Sequence, residues 1–264
     1  MRKLRKAAGL TGGQLAQRCH MSQSQISRFE TGQLLPGADD VDRILHALDV
    51  DDLMHTELVA LAKVANIEFQ NVRADLRRGL HHTQRDLAGL EASATHMRHF
   101  LPSLVTGLLQ VPEYIRAGLN TPVAGETSDT TRATAIKLDR QAVLHDTTKR
   151  FDFLLTEQAL RWRFCEPSVM ATQMDRLISV SRLPSVAIGA LPLSIGCAEG
   201  PMSTFVLYDA RLATVELHAG SVVLRDPKEI EYYRKLFDYF AERALWGADA
   251  RGFIGEVGES FRRA

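Results

Sequence analysis

Two helix-start signals lie eleven residues apart near the beginning of the chain, and no other feature constrains the fold as strongly. Thr11 precedes Gln14 by three residues, and Ser22 precedes Gln25 by the same spacing. In each pair the hydroxyl can cap the first backbone N–H groups of a helix, and the glutamine can return a hydrogen bond to the capping residue. The pattern predicts four short helices: one over residues 2–8, one from Thr11 to a turn at His20, one from Ser22 to about Glu30, and one capped by Asp39 or Asp40.

The second and third predicted helices are joined by a tight turn at His20 and Met21. Two short helices joined in this way form a helix-turn-helix, whose second helix enters the major groove of DNA with its first side chains at the base edges. Glutamine can pair with adenine and arginine with guanine, so polar residues of this helix are the expected base contacts. The predicted DNA-binding residues are Gln23, Ser24, Gln25, Ser27 and Arg28, with Thr11, Lys3 and Lys6 expected near the phosphates.

Charge is distributed unevenly along the chain. The 32 basic and 32 acidic side chains cancel, which excludes a protein coated uniformly with positive charge for binding nucleic acid. Residues 1–35, however, contain six basic residues and one acidic residue, so this segment carries a net charge of +5. A basic segment on a mildly acidic remainder is typical of a module that faces DNA phosphates.

This N-terminal segment resembles the Xre or phage-repressor family of helix-turn-helix proteins over residues 1–50. The likeness is carried by Ala8–Thr11, Leu15–Ala16, Ser22–Gly32 and Pro36. Gly12 and Gly13 stand where the family usually has Gln or Glu, which weakens the second helix by roughly 1 kcal/mol per glycine and removes a phosphate contact. The first helix is also shorter than is usual in the family, which leaves open a native start upstream of Met1.

The remainder of the sequence alternates between helical and strand patterns. Apolar residues at helical spacing run from Leu87 to Leu101, and apolar runs at 151–155 and 186–191 are typical of strands. Further runs between Thr204 and Leu224 indicate a β-meander. The predicted fold class is α + α/β, with an all-helical domain at 1–50, a helical connector at 51–83, and a mixed α/β C-terminal domain at 84–264 that combines a helical layer with the meander.

A second resemblance covers residues 84–250. It is carried by the run Leu104–Ala117 and by shorter pieces in the same order, at Arg140–Gln141, Thr156–Arg161, Leu183–Val186, Leu191–Pro192 and Arg225–Pro227. These residues are similar to the domain of unknown function that is fused to Xre-type modules in actinomycetes, as in WhiJ-like regulators. The resemblance implies a regulator of development or antibiotic production, or a member of a toxin–antitoxin-like pair, with a small acidic partner protein encoded nearby.

Catalytic and metal-binding motifs are missing from the sequence, which contains no G-x-S-x-G, no Walker phosphate loop and no H-E-x-x-H. His96 and His99 are three residues apart, which can suit a metal on a helix, but no Glu or Cys nearby completes a ligand set. We therefore expect solvated histidines, no metal site, no cofactor and no enzymatic activity. Three scattered cysteines are too few for a disulfide framework, and no apolar run is long enough to span a membrane, which fits a cytoplasmic protein.

The C-terminal domain is predicted to be a binding module. Its candidate partner-binding residues are Gln110, Tyr114, Glu216 and His218. Together the patterns predict a homodimeric, sequence-specific DNA-binding transcriptional regulator whose C-terminal domain senses a ligand or docks a small partner protein. The alternatives are an interaction protein that mainly sequesters a small acidic partner, and an enzyme that acts through the C-terminal domain.

Overall fold

The computed structural model of the chain describes residues 1–65, 67–70, 89–120, 130–218 and 220–264. Its N-terminal part consists of helices α1 (Arg2–Ala7), α2 (Gly12–Arg18), α3 (Gln23–Thr31), α4 (Ala38–Ala47) and α5 (Asp52–Ala65). Residues 71–83, which make up the last part of the predicted connector, lie outside the described residues.

The cap of α2 forms as predicted, and the cap of α3 forms in part, through the Ser22 hydroxyl without a returned bond from Gln25 among those the structure describes. Thr11 Oγ1 accepts the backbone N–H of Gln14 at 3.2 Å, while Oε1 of Gln14 accepts the N–H of Thr11 at 2.8 Å. Ser22 Oγ accepts the N–H of Gln25 at 3.1 Å. Gly32 ends α3 with a φ of +73°, a conformation that favours glycine. The helices enclose a small core that includes Leu15, Ala16, Cys19, Ile26, Phe29 and Ile44.

The start of α4 differs from the prediction. The helix begins after Gly37, so Asp39 and Asp40 lie inside its first turn instead of at its cap. The Asp40 carboxylate accepts the N–H of Gly37 at 3.4 Å, and the N–H of Ala38 is bound by the Asp226 carboxylate at 3.2 Å. The prediction is wrong because one of the capping groups comes from a residue 188 positions further along the chain.

The described residues of the C-terminal part are built on a seven-stranded sheet. Its strands are β1 (Ile67–Gln70), β2 (His96–Leu101), β3 (Arg150–Thr156), β4 (Val186–Leu191), β5 (Phe205–Tyr208), β6 (Leu212–Leu217) and β7 (Gly220–Leu224). They lie in the order β1-β7-β6-β5-β2-β3-β4. β2 and β4 each run parallel to β3, and the other neighbouring pairs are antiparallel.

Helices cover both faces of the sheet. They are α6 (Pro112–Leu119), α7 (Thr130–Arg140), α8 (Glu157–Arg161), α9 (Pro167–Val180), α10 (Pro227–Ala241) and α11 (Gly247–Arg262); residues 89–93 are also helical, and a 3₁₀ turn spans Gln141–His145. On the first face, alternate residues of the central strands, such as Met97 and Phe153, share a core with α9 and α11. On the second face, the intervening residues, such as Phe100 and Leu154, share a core with α10.

The predicted fold class, an N-terminal helical domain followed by a mixed α/β domain, is confirmed. The helix expected through Met97 and Leu101 is wrong, because β2 occupies this segment. A spacing of four residues satisfies both the helical and the strand period, and the parallel pairing with β3 is a contact between distant segments. Residues 67–70 of the predicted helical connector likewise form β1.

Candidate functional site

Helix α3 presents a polar side next to two apolar anchors. Ile26 and Phe29 are buried in the N-terminal core, and they fix the rotation of the helix about its axis. The remaining positions include all the predicted base-contacting residues, of which Gln25 is half-buried and the others are exposed: Gln23, Ser24, Ser27 and Arg28. The structure therefore brings this predicted set together on one nine-residue helix.

An ion pair that sequence analysis missed fastens α1 to α3. Arg5 donates through Nε to Oε1 of Glu30 at 2.6 Å and through Nη2 to Oε2 at 2.8 Å, and its Nη1 donates to the Leu10 carbonyl at 2.7 Å. The hydrogen bond from Arg5 holds the pKa of the Glu30 carboxyl below its usual range. Both side chains are largely buried, so Arg5 holds α3 in place and does not face the solvent as an ordinary surface cation would.

The residues predicted near the phosphates lie at the start of this module. Lys3 and Lys6 on α1 are exposed, and so is Thr11. The Thr11 hydroxyl, however, donates to Oε1 of Gln14 at 3.0 Å and accepts the Gln14 N–H, so it is already engaged in the cap of α2. The two lysines are therefore better placed than Thr11 for contact with a DNA backbone.

A polar pocket of about 300 Å³ opens beside α7 and β6. Lys137 and Arg140 lie on successive turns of α7, and Glu216 lies on β6. The polar lining also includes Ser103, Thr204 and Gln110. Two of the four predicted partner-binding residues, Gln110 and Glu216, thus share one site, which we call the polar pocket.

Two glutamine side chains hold the loop that forms one wall of the polar pocket. Gln141 donates through Nε2 to the carbonyls of Gly107 and Gln110, both at 2.8 Å. Gln173, which is fully buried, donates to the carbonyl of Leu109 at 2.8 Å. These hydrogen bonds join the wall to the 3₁₀ turn at Gln141 and to α9.

Charged groups behind and within the polar pocket are perturbed by burial. Arg140 Nε lies 3.2 Å from Oε2 of Glu91, a carboxylate that is only 3% exposed. Burial raises the pKa of Glu91 to about 7, although the charge of Arg140 acts in the opposite direction. Burial also lowers the pKa of Lys137, and the charge of Arg140 adds to this effect. Crowding by protein atoms raises the pKa of Glu216, which stays accessible to solvent.

Tyr114 and His218 do not line the polar pocket. Tyr114 is 1% exposed, and its ring packs against that of Phe164 with 5.0 Å between centroids. The predicted partner surface is therefore wrong at Tyr114, because this side chain forms the buried side of α6 together with Ile115 and Leu119. His218 is exposed just beyond the end of β6.

His96 and His99 are not the solvated pair that the sequence predicted. Both lie on β2, where an interval of three residues places them on opposite faces of the sheet. His96 Nε2 lies 2.7 Å from Oδ2 of Asp152, whereas His99 is 3% exposed and packs against Phe153. Burial, reinforced by the charge of Arg140, lowers the pKa of His99 to about 3, so its ring is neutral at pH 7.

Two family models match the sequence. Residues 1–58 match a family described as "Helix-turn-helix domain", and residues 84–256 match one described as "Domain of unknown function (DUF5753)". No curated protein matches the chain. No helix among the described residues has both the length and the apolar character needed to traverse a lipid bilayer.

Two solved structures show weak similarity. Nuc, a phospholipase D family member from Salmonella typhimurium, is 10% identical, with a TM-score of 0.35 and coverage of 62% of this chain and 90% of that chain. TrmBL2, an archaeal chromatin protein described as showing a novel mode of DNA binding, is 12% identical, with a TM-score of 0.35 and coverage of 79% of this chain and 68% of that chain. At this level of similarity neither structure defines the fold or the function of the chain.

Proposed function

The chain belongs to the family defined by the DUF5753 domain, joined here to an N-terminal helix-turn-helix domain, and we propose that it is a cytoplasmic transcriptional regulator that binds specific DNA sequences. One observation carries the proposal: burial of Ile26 and Phe29 turns the glutamine, serine and arginine side chains of α3 outward. The motifs of both domains support a more specific assignment, an Xre-type module with the C-terminal domain of WhiJ-like regulators.

In this proposal α3 lies in the major groove. Gln25 and Arg28 are one turn apart, and their side chains can each pair with two atoms of a purine. Lys3 and Lys6 on α1 contact the phosphates and contribute affinity that is independent of base sequence. The Arg5–Glu30 ion pair sets the position of these lysines relative to α3.

A DNA site selected from random sequences by the full-length protein provides the test. Gln25→Ala and Arg28→Ala should each cost about 1–3 kcal/mol of binding free energy at the selected site and relax base preference. Lys3→Ala should weaken binding to all sequences alike and reduce the salt dependence, because it removes a phosphate contact. Lys235→Ala, which changes an exposed lysine of α10, is the control and should bind as the wild type does. Unchanged affinity and base preference in both α3 variants would contradict the proposal.

For the C-terminal domain we propose a sensing role through the polar pocket. Its volume suits a small molecule, and Lys137 and Arg140 outnumber Glu216 among the charged groups that line it. The proposed ligand therefore carries a carboxylate or a phosphate. A non-catalytic role is proposed as well, and it rests on the lack of catalytic motifs in the sequence.

The sensing role can be tested by thermal unfolding of the full-length protein in a panel of small carboxylates and sugar phosphates. A ligand of the polar pocket should raise the melting temperature of the wild type and of Lys235→Gln, but not that of Lys137→Gln. It should also change the affinity for the selected DNA site. A compound that stabilises Lys137→Gln as strongly as it stabilises the wild type must bind outside the polar pocket. Steady turnover of any compound would overturn the separate proposal that the domain is not catalytic.

A second candidate function is sequestration of a small acidic partner protein. It is favoured by an apolar groove of about 320 Å³ that includes Leu191, Pro192 and Leu193, near the exposed side chain of Met202. Leu193 and Met202 are 66% and 91% exposed, which is unusual for large apolar side chains. Two results together would favour this function over regulation. The wild type, but not Leu193→Glu, should co-purify with the product of a neighbouring gene, and specific DNA binding should be negligible.

A further inference from the structure

We propose that Asp42, His46 and His55 bind a divalent transition-metal ion of the zinc class at the corner between α4 and α5. Asp42 and His46 lie one turn apart on α4, and His55 lies in the first turn of α5. Their ligand atoms all lie within 4.8 Å of one another. The site shares no residue with the polar pocket or with the predicted base-contacting set on α3.

The spacing of the three ligand atoms matches a tetrahedral metal site. Nε2 of His55 lies 3.1 Å from Nδ1 of His46 and 3.1 Å from Oδ1 of Asp42, and the latter two atoms are 3.6 Å apart. Zinc binds imidazole nitrogen and carboxylate oxygen at about 2.0–2.2 Å, so neighbouring ligands of a tetrahedral site are about 3.3–3.6 Å apart. The three atoms can therefore be joined to one ion with only small shifts.

Exposure of the cluster leaves room for a fourth ligand. The side chains of His46, Asp42 and His55 are 71%, 46% and 20% exposed. A water molecule can therefore occupy the open corner of the tetrahedron. Two imidazoles and one carboxylate form a donor set that zinc, cobalt and nickel accept, whereas magnesium and calcium prefer oxygen ligands alone.

The surrounding charge favours a dication. Residues 38–57 contain seven acidic side chains and one basic side chain, and an acidic excess remains after Asp39 and Asp40 are paired with Lys228 and Arg43. Such an excess of one sign raises the local concentration of the opposite ion.

Binding exchanges hydrogen bonds for metal bonds. Nδ1 of His46 also lies 3.1 Å from the main-chain oxygen of Asp42. When the ion binds, Nδ1 of His46 and Nε2 of His55 coordinate it through their lone pairs. A neutral ring then carries its proton on the other ring nitrogen, and an imidazolium first releases one proton to solvent. The ion then cross-links α4 to α5 beside their apolar contact, which includes Val41 and Leu45.

Titration of the untagged, chelator-treated full-length protein with zinc chloride in a calorimeter tests the site. The expected result is one high-affinity ion per chain and a higher melting temperature in the presence of zinc. His46→Ala and His55→Ala should each lower the zinc affinity by about tenfold or more and remove the thermal shift. Asp42→Asn, which keeps the size of the side chain, should lower the affinity in the same direction.

His145→Ala is the matched control, because His145 is an exposed histidine of the C-terminal domain. It should bind zinc as the wild type does. Circular dichroism without metal checks that each variant is folded. If a histidine variant does not fold, the zinc affinity of Asp42→Asn tests the site in its place. No saturable zinc binding, or equal affinity in the wild type and in folded His46→Ala and His55→Ala, would overturn the proposal.

Discussion

His99 is a buried, neutral histidine in the middle of the sheet. Neither ring nitrogen has a hydrogen-bond partner among the residues that the structure describes. Burial and the nearby Arg140 charge lower its pKa to about 3, while Asp152 acts in the opposite direction. In the unfolded chain the same group titrates near pH 6.5.

The first prediction concerns the acid stability that follows from His99. Because the folded pKa is depressed, the unfolded chain takes up a proton that the folded chain excludes, and stability falls as the pH drops from about 6.5 toward 3. Between pH 7 and pH 5 this proton accounts for about 2 kcal/mol of lost stability. Between pH 7 and pH 5 the free energy of unfolding of His99→Gln should therefore fall by about 2 kcal/mol less than that of the wild type. Guanidinium unfolding at both pH values measures the two losses. Parallel losses in wild type and variant would show that His99 does not exclude the proton.

A second residue-scale prediction rests on the contact between Gly189 and Trp246. A Cβ at Gly189 of β4 would lie 2.7–2.8 Å from carbon atoms of the indole ring. The ring is held by a hydrogen bond from its Nε1 to the Ala241 carbonyl at 2.9 Å, so it cannot easily give way. Gly189→Ala should therefore lower the free energy of unfolding by about 1–3 kcal/mol. Gly252→Ala, in open space on α11, should raise it by about 0.5–1 kcal/mol, and equal effects at both sites would refute the packing argument.

At the scale of elements, local signals were predicted well and distant ones were not. The caps of α2 and α3 depend on residues three positions apart, so the sequence reveals them directly. The start of α4 depends on Asp226, and the strand at β2 depends on pairing with β3 and β5, which no local pattern contains. Where the spacing of apolar residues fits both the helical and the strand period, such long-range contacts decide which of the two structures forms.

Asp226 caps two helices that belong to different parts of the chain. Its Oδ1 accepts the N–H of Lys228 in α10 at 2.9 Å, and its Oδ2 accepts the N–H of Ala38 in α4 at 3.2 Å. An ion pair between Lys228 and Asp39 lies beside this double cap. The start of the fourth helix of the DNA-binding module is therefore fastened to the C-terminal domain.

The element-scale prediction follows from this double cap. Asp226→Ala removes both caps and should lower the free energy of unfolding by about 1–2 kcal/mol. Asp226→Asn keeps one acceptor oxygen but replaces the other with an NH₂ donor, so it can cap only one of the two helices and should lie between the wild type and the alanine variant in stability. Chemical unfolding of the two variants measures the difference. An alanine variant as stable as the wild type would mean that water replaces the carboxylate at both helices.

At the scale of the whole molecule, the candidate sites differ in how far the sequence reveals them. The polar side of α3 was predicted because it depends only on the spacing of apolar and polar residues within one helix. The polar pocket combines α7 and β6 with the loop before α6, so only Gln110 and Glu216 were anticipated. Tyr114 was misplaced because an apolar ring with a polar tip suits an interface and a core equally.

The homodimer predicted from the sequence gives the whole-molecule prediction. α5 leaves Leu53, Met54 and Leu61 73%, 40% and 61% exposed, and two half-sites about one helical turn apart require paired modules. Leu61→Glu should convert a dimer into a monomer in light scattering, since a buried charge disrupts an apolar contact. Leu193→Glu, on an exposed apolar side chain of the C-terminal domain, should leave the dimer intact. A monomeric wild type at micromolar concentration, free and on DNA, would contradict the prediction.

The pairing of β1 with β7 also protects an edge of the sheet. Residues 67–70 bond to residues 221–224 and cover backbone groups that would otherwise be available to another chain. A break between β1 and the start of the DUF5753 match at residue 84 would therefore have two effects. It would cut the covalent link to the helix-turn-helix domain, which would then be held only by non-covalent contacts such as the β1–β7 pairing and the Asp226 cap, and once β1 dissociated it would expose β7 as a template for strand addition. Proteolysis in this interval is expected to yield a C-terminal fragment that self-associates.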